Sequence, residues 1–242
     1  MTAEQFSTQA DNNEAILGQA EMGVVLQEVY QTAVNLDPRL EDVKIVAVEP
    51  GTGPIAFARP AHRSESGQHE VHFQLDDIDN VLTEYQNLLE SVPGLKEIMA
   101  DKMMTTPENM TAESLFAFSL AHEFGHVVLN MDHEDDPEAL TRQIKQDKEA
   151  MPLGNVATSR LLDTASPEHA DLVNNLDTHQ TRLGVSSFQE VIALQHFAYR
   201  NTTAEHAADS FAADLFATNP TLADRMIAPG AIDRYRDFSA AA

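Results

Sequence analysis

The chain has 242 residues, and its 15 Lys and Arg against 39 Asp and Glu give a formal net charge of −24. Because nucleic acids and anionic lipids bind proteins mainly through Lys and Arg, this charge argues against both as partners. Apolar residues make up 43% of the chain, which is enough for a sizeable core. We therefore expect a globular protein with no nucleic-acid or membrane partner.

The sequence has no cysteine, which excludes disulfides, a thiolate nucleophile and cysteine-type zinc sites. A metal ion would have to be bound by His, Asp or Glu. The first 18 residues lack the basic and continuous apolar regions of a secretory signal, and no segment approaches the ~20 apolar residues of a membrane helix. We therefore expect the protein to be cytoplasmic.

The first part of the chain predicts a helix followed by a small sheet. Residues 1–12 are polar and expected to be flexible, and 13–242 are expected to form one domain. A helical period extends from 13 to about 35, and runs of strand-forming residues follow at 43–48, 55–59 and 69–75. We expect these runs to form an antiparallel sheet with one solvent-facing side, so that 13–92 is the sheet-containing part.

The remainder, 93–242, is expected to be the helical part that carries the active site. Pro, Gly and N-cap signals delimit its elements; Asp136-Pro137 and Ser166-Pro167, for example, each begin a helix. The sheet-containing part ends with a predicted helix at 76–91. The helices predicted in the remainder are 95–103, 111–131, 136–150, 166–184, 187–200 and 202–217. The predicted fold class is α+β, dominated by helices.

An H-E-x-x-H motif lies in the most apolar of these helices, at His122, Glu123 and His126. Residues four apart on an α-helix differ by about 40° around its axis, so both imidazoles can bind one tetrahedral Zn²⁺. Glu123, about 100° from His122, is suited to act as general base on a zinc-bound water. The alternative is a chance match, since the motif fixes three positions in a chain with ten histidines. Three polar groups within an apolar helix favour the metal site, because burying them without a shared partner is costly.

A catalytic zinc site requires a third protein ligand. The metzincin pattern would use Asp132, but Leu129 stands where that pattern has the glycine that turns the chain back towards the metal. Glu205, on a later predicted helix, is the better candidate.

Asp209 lies four residues after Glu205 on the same predicted helix. Its carboxylate could accept a hydrogen bond from the ring N–H of His122 or His126 and so orient that ligand. The alternative is that Glu205 only completes a capping box with Thr202, while Asp209 is a solvated surface acid.

The two motifs, HEFGH and the later EHAAD, resemble those of the gluzincin metallopeptidases, the thermolysin-like superfamily whose second motif is E-x-x-x-D or E-x-x-A-D. The resemblance covers about two short helices. It implies a zincin-like fold and one zinc ion per chain, bound by His122, His126 and Glu205, with Glu123 as the base.

A peptidase of this kind also needs a donor for the oxyanion and a strand that aligns the substrate. Tyr199, His196 and His206 are the donor candidates because they are close in sequence to Glu205, although each could simply pack. The strand at 69–75 is the expected edge strand.

These features predict a zinc-dependent metallo-endopeptidase that acts on peptides or proteins. The alternatives are a catalytically inactive zinc-binding module that regulates or binds another protein, and a helical interaction protein without metal. The charge of −24 favours neutral or basic substrates and a salt-dependent association rate. The oligomeric state, physiological substrate and cleavage specificity stay open.

Overall fold

The computed structural model describes residues 15–16, 24–48, 56–74, 78–92, 94–103 and 105–219. The N-terminal segment expected to be flexible, 1–12, lies outside them. The helices within these ranges are α1 (Val24–Leu36), α2 (Ile78–Ser91), α3 (Leu95–Lys102), α4 (Ala112–Asp132), α5 (Pro137–Ala150), α6 (Thr158–Leu162), α7 (Pro167–Asn174), α8 (Leu176–Leu183), α9 (Phe188–Arg200) and α10 (Thr203–Thr218). Within the described ranges, no helix is both long enough and apolar enough to cross a bilayer.

The sheet consists of β1 (Ala15–Ile16), β2 (Lys44–Val48), β3 (Ala56–Arg59) and β4 (Glu70–Gln74), in the order β1-β2-β4-β3. The pairs β1–β2 and β3–β4 are antiparallel, whereas β2 and β4 are parallel. The α+β, helix-dominated class is therefore confirmed, and the purely antiparallel sheet is wrong. Strands that follow one another in sequence usually pair, but here β4 lies between β2 and β3.

The sheet order also changes which strand can be an edge. The strand predicted at 69–75 corresponds to β4, which pairs on both sides, with β2 and with β3. Its Val71 and Phe73 are almost fully buried, as expected for an interior strand. Among the described strands, β3 is the edge on the side of α4.

Two helix predictions are wrong in extent. Ala15–Ile16, expected within a helix from 13 to 35, is instead a strand that pairs with β2, whereas Val24–Leu36 forms helix α1. The helix expected from 166 to 184 is divided at Asn175, whose side-chain amide shares the carbonyl of Asp171 with its own backbone N–H.

Helix α4 is the central element, packed against β3 and β4 on one side and α10 on another. It begins at a capping box in which the hydroxyls of Thr111 and Ser114 accept hydrogen bonds from each other's backbone N–H groups. Its Phe118, Leu120 and Phe124 are at most 1% exposed. This burial on several sides explains the continuous apolar sequence around the H-E-x-x-H motif.

Gly125 permits a close approach between α4 and α10. A Cβ atom at this position would lie 2.6 Å from Cα of Ala208, 2.8 Å from its carbonyl oxygen and 2.9 Å from Cβ of Phe211. Because the first two contacts are with backbone, a rotamer change cannot relieve them. The two helices would have to separate to accept even a methyl group.

We expect Gly125→Ala to lower the free energy of unfolding by about 1–3 kcal/mol, the usual effect of overpacking. Helix propensity alone would change the stability by about 1 kcal/mol in the opposite direction. Urea denaturation of the metal-free protein measures the difference. Gln146→Ala on the exposed side of α5 is the control for helix propensity. An equal or more stable Gly125→Ala protein would contradict the close-approach argument.

Candidate metal centre

Three ligand-type side chains converge where α4 crosses α10. The rings of His122 and His126 lie edge to face, with centroids 4.5 Å apart. Glu205 Oε2 is 3.2 Å from His122 Nε2, and Glu205 Oε1 is 3.6 Å from His126 Nε2. One ligand atom from each of the three residues can be chosen so that all lie within 4.8 Å of one another. This largely buried group could bind a metal ion.

The separations suit a tetrahedral ion. Two ligand atoms at 2.0–2.1 Å from the same tetrahedral centre are about 3.3–3.4 Å apart. The distances from the two imidazole nitrogens to Glu205, 3.2 and 3.6 Å, lie on either side of this value. The carboxylate of Glu205 therefore lies from each imidazole at about the distance that separates two ligands of one ion.

The structure also separates the alternatives for the third ligand. The hydroxyl of Thr202 donates to the carbonyl of Tyr199, and no side-chain cap precedes α10, so Glu205 is not engaged in a capping box. Asp132, the metzincin-type candidate, is half exposed at the end of α4 and pairs with Arg39 at 2.7 Å. Glu205, in contrast, is 6% exposed and contacts both histidines.

Asp209 is 1% exposed, and its Oδ1 lies 2.9 Å from Nδ1 of His122. Since an ionised carboxylate only accepts hydrogen bonds, Nδ1 carries the proton and donates it. This bond fixes the ring and directs Nε2 towards Glu205. Second carboxylates of this kind orient metal-binding histidines and increase their basicity.

The sequence analysis did not identify the two cations that bind Asp209. Lys102, from α3, has its Nζ 2.7 Å from Oδ2. Arg200, the last residue of α9, donates from Nε to Oδ2 at 3.1 Å and contacts Oδ1 through Nη2, and its Nη1 is 3.6 Å from Glu205. A buried acid in the second motif implies a cation nearby, but only the tertiary structure identifies which one.

The pKa values of two of the candidate ligands, His126 and Glu205, are both lowered, for different physical reasons. Burial, together with a smaller effect of His122, lowers the pKa of His126 to about 4, so this imidazole is neutral at pH 7. Burial acts to raise the pKa of Glu205, but its interactions with both histidines and Arg200 lower it to about 2. Neutral imidazoles and an ionised carboxylate are the forms that bind a metal.

Glu123 follows His122 on α4 and is only partly exposed. Its carboxylate accepts a hydrogen bond from the backbone N–H of Ala58 on β3. Burial raises the pKa of Glu123 to about 7, with His122 acting in the opposite direction. A carboxyl group with this pKa can both accept and release a proton near neutrality.

The three proposed oxyanion donors occupy different environments. Tyr199 donates its hydroxyl hydrogen to Oε1 of Glu205 at 2.7 Å. His196 is 9% exposed, and its Nε2 has no hydrogen-bond partner among the described residues. Burial and the charge of Arg200 lower the pKa of His196 to about 4. His206 is exposed on α10. The first two are therefore close to the ligand group, and His206 is on the surface.

Comparison of the chain with models of protein families, with curated proteins and with solved structures finds no match.

We expect Glu205→Ala to lose metal affinity far more than Asp209→Asn does. The first change removes a ligand, whereas loss of an orienting partner typically weakens binding about 10–100-fold. Competition with a chromophoric zinc chelator gives both affinities. The reverse order would contradict the assignment of Glu205 as ligand and Asp209 as its supporting group.

Acidification should destabilise the metal-free protein through His196. Its pKa is about 4 in the folded chain against an ordinary value of 6.5, so between these values the unfolded chain binds the proton and the folded chain does not. The free energy of unfolding therefore falls as pH decreases from 6.5 to 4, by about 3 kcal/mol in total for this residue. His196→Gln should reduce this pH dependence in urea denaturation, whereas His62→Gln, at an exposed position, should leave it unchanged. An unchanged slope in His196→Gln would contradict the pKa shift.

Proposed function

We propose that the protein is a zinc-dependent metallo-endopeptidase with a zincin-like fold. The observation that carries this proposal is the convergence of His122, His126 and Glu205 beside Glu123, which in turn lies against an edge strand. A site that only stores or binds a metal has no need for a carboxylate with a raised pKa next to three ligands.

The donor set favours zinc. Two imidazole nitrogens and one carboxylate oxygen are a common ligand set of catalytic zinc, and three protein ligands leave a fourth position for a reactant. The partial exposure of Glu123 and His126, in contrast to the burial of His122 and Glu205, supports an opening to solvent on their side of the site. When bound, zinc would polarise a substrate carbonyl and make a water molecule acidic near pH 7.

Glu123 would transfer the proton. Its carboxylate, held by the N–H of Ala58, takes the proton of the attacking water and gives it to the amine of the leaving group. His122 and His126 act as ligands only.

Strand β3 would align the substrate. Because the N–H of Ala58 bonds to Glu123, it points away from β4, and so does the Ala58 carbonyl. Ala56, two residues earlier, has the same orientation. An extended peptide could pair with these groups by adding a strand to the edge of the sheet. The proposed substrate strand is therefore β3 and not the interior strand β4.

Tyr199 is the strongest candidate for stabilising the oxyanion. Its hydroxyl is already 2.7 Å from Glu205, so a small rotation would redirect it to a substrate oxygen beside the same ligand. His196 could contribute from α9, since it is buried nearby and its Nε2 is available. The negative charge of the chain continues to favour neutral or basic peptides.

We expect Glu123→Gln to retain about one zinc per chain and to lose peptide cleavage by about 10²–10⁴-fold, the usual contribution of a general base. Elemental analysis measures the metal, and an unbiased peptide library measures cleavage. Glu138→Gln, on an exposed residue of α5, is the matched control and should cleave normally.

Two results would overturn the proposal. Full peptide cleavage by Glu123→Gln would show that Glu123 is not the general base. Wild-type protein that binds zinc but is as inert as Glu123→Gln towards the whole library would favour the catalytically inactive zinc-binding module.

A further inference from the structure

Lys102 is an unusual neighbour for a cation-binding site. It is the last residue of α3, and its side chain is only 23% exposed, with the ammonium group 2.7 Å from Asp209. Asp209 in turn contacts His122, one of the three candidate ligands. A single carboxylate and a single imidazole therefore separate this positive charge from the place where a metal ion would bind.

Lys102 is not needed to complete the hydrogen bonds of Asp209. Oδ1 accepts from His122 and contacts Arg200, and Oδ2 accepts from Nε of Arg200. Arg200 thus holds both oxygens of the carboxylate that orients His122. The main contribution of Lys102 is its charge.

That charge balances the ligand group in the absence of an ion. Glu205 and Asp209 are buried carboxylates, and the cations in contact with them are Arg200 and Lys102. Two negative and two positive charges compensate each other. Without Lys102, the group would have an uncompensated buried negative charge, which is costly.

A divalent ion changes this balance. It adds two positive charges to the ligand group, which only Asp209 and His122 separate from the ammonium group of Lys102. When a single and a double positive charge lie 8–10 Å apart, their repulsion weakens the binding of the doubly charged ion by about fivefold in water. The effect is larger at the lower effective dielectric of a protein.

We infer that Lys102 stabilises the metal-free protein and lowers its affinity for a divalent cation. The residue acts through Asp209 and through space, and it has no direct role in the proposed hydrolysis. The inference rests on the metal site of the proposed function but not on peptidase activity. It implies that the chain folds with its ligands already in place and does not depend on the ion to bring them together.

The test measures zinc affinity, by competition with a chromophoric chelator at pH 7, in proteins that differ at position 102. Lys102→Met removes the charge and the hydrogen bond, Lys102→Gln removes the charge but keeps a donor, and Lys102→Arg keeps both. Lys145→Met is the matched control, because Lys145 is 75% exposed on α5 and carries the same charge.

We expect both neutral variants to bind zinc at least fivefold more tightly than the wild type, with a difference that decreases at high salt. Lys102→Arg and Lys145→Met should bind like the wild type. Urea denaturation should show that Lys102→Gln is less stable than the wild type without metal, and that saturating zinc reduces this difference, as linkage requires.

Weaker zinc binding by Lys102→Gln and Lys102→Met would overturn the inference and show that Lys102 positions Asp209 for the metal. Unchanged affinity would overturn it as well, because the charge would then not act on the ion. If the wild type binds no zinc at all, the proposed function itself fails.

Discussion

The close contact between α4 and α10 at Gly125 and Ala208 is the constraint on which the site depends. Each helix carries two site residues four positions apart, so the two pairs face each other only where the helix axes approach closely. With a Cβ at Gly125 lying 2.6 Å from the backbone of Ala208, a larger residue would force the helices apart. Carboxylate oxygens now 3.2–3.6 Å from imidazole nitrogens would then be too far away to share an ion.

Close helix packing also removes water from charged groups, and the site compensates for this with mutual contacts. Asp209, which is 1% exposed, contacts an imidazole, a guanidinium and an ammonium group. An isolated buried carboxylate would lose far more solvation free energy than one such contact provides. Helices α3, α4 and α9 each contribute one of these partners and α10 carries Asp209 itself, so the electrostatic network also fixes how these four helices are arranged.

The sequence predicts the local parts of this arrangement and not the parts that depend on tertiary structure. The spacing of His122 and His126, and of Glu205 and Asp209, follows from helix geometry, and most helix ends follow from Pro, Gly and N-cap residues. No local pattern indicates that Lys102 would meet a residue more than a hundred positions away, or that Ala58 would donate to Glu123. The order of the strands also depends on contacts between residues far apart in sequence, and for this reason the predicted edge strand is wrong.

The order of the strands connects the sheet to the chemistry of the helices. Had β2, β3 and β4 paired in sequence order, β3 would be an interior strand and the outward N–H of Ala58 would bond to a neighbouring strand. Because β4 lies between β2 and β3, the outward N–H of Ala58 can donate a hydrogen bond to the carboxylate of Glu123. In the proposed peptidase, the same edge would present further backbone groups beside this carboxylate, so that one strand would both orient the base and align an extended peptide. A mixed sheet of four short strands is sufficient for this because only its outermost strand has to reach α4.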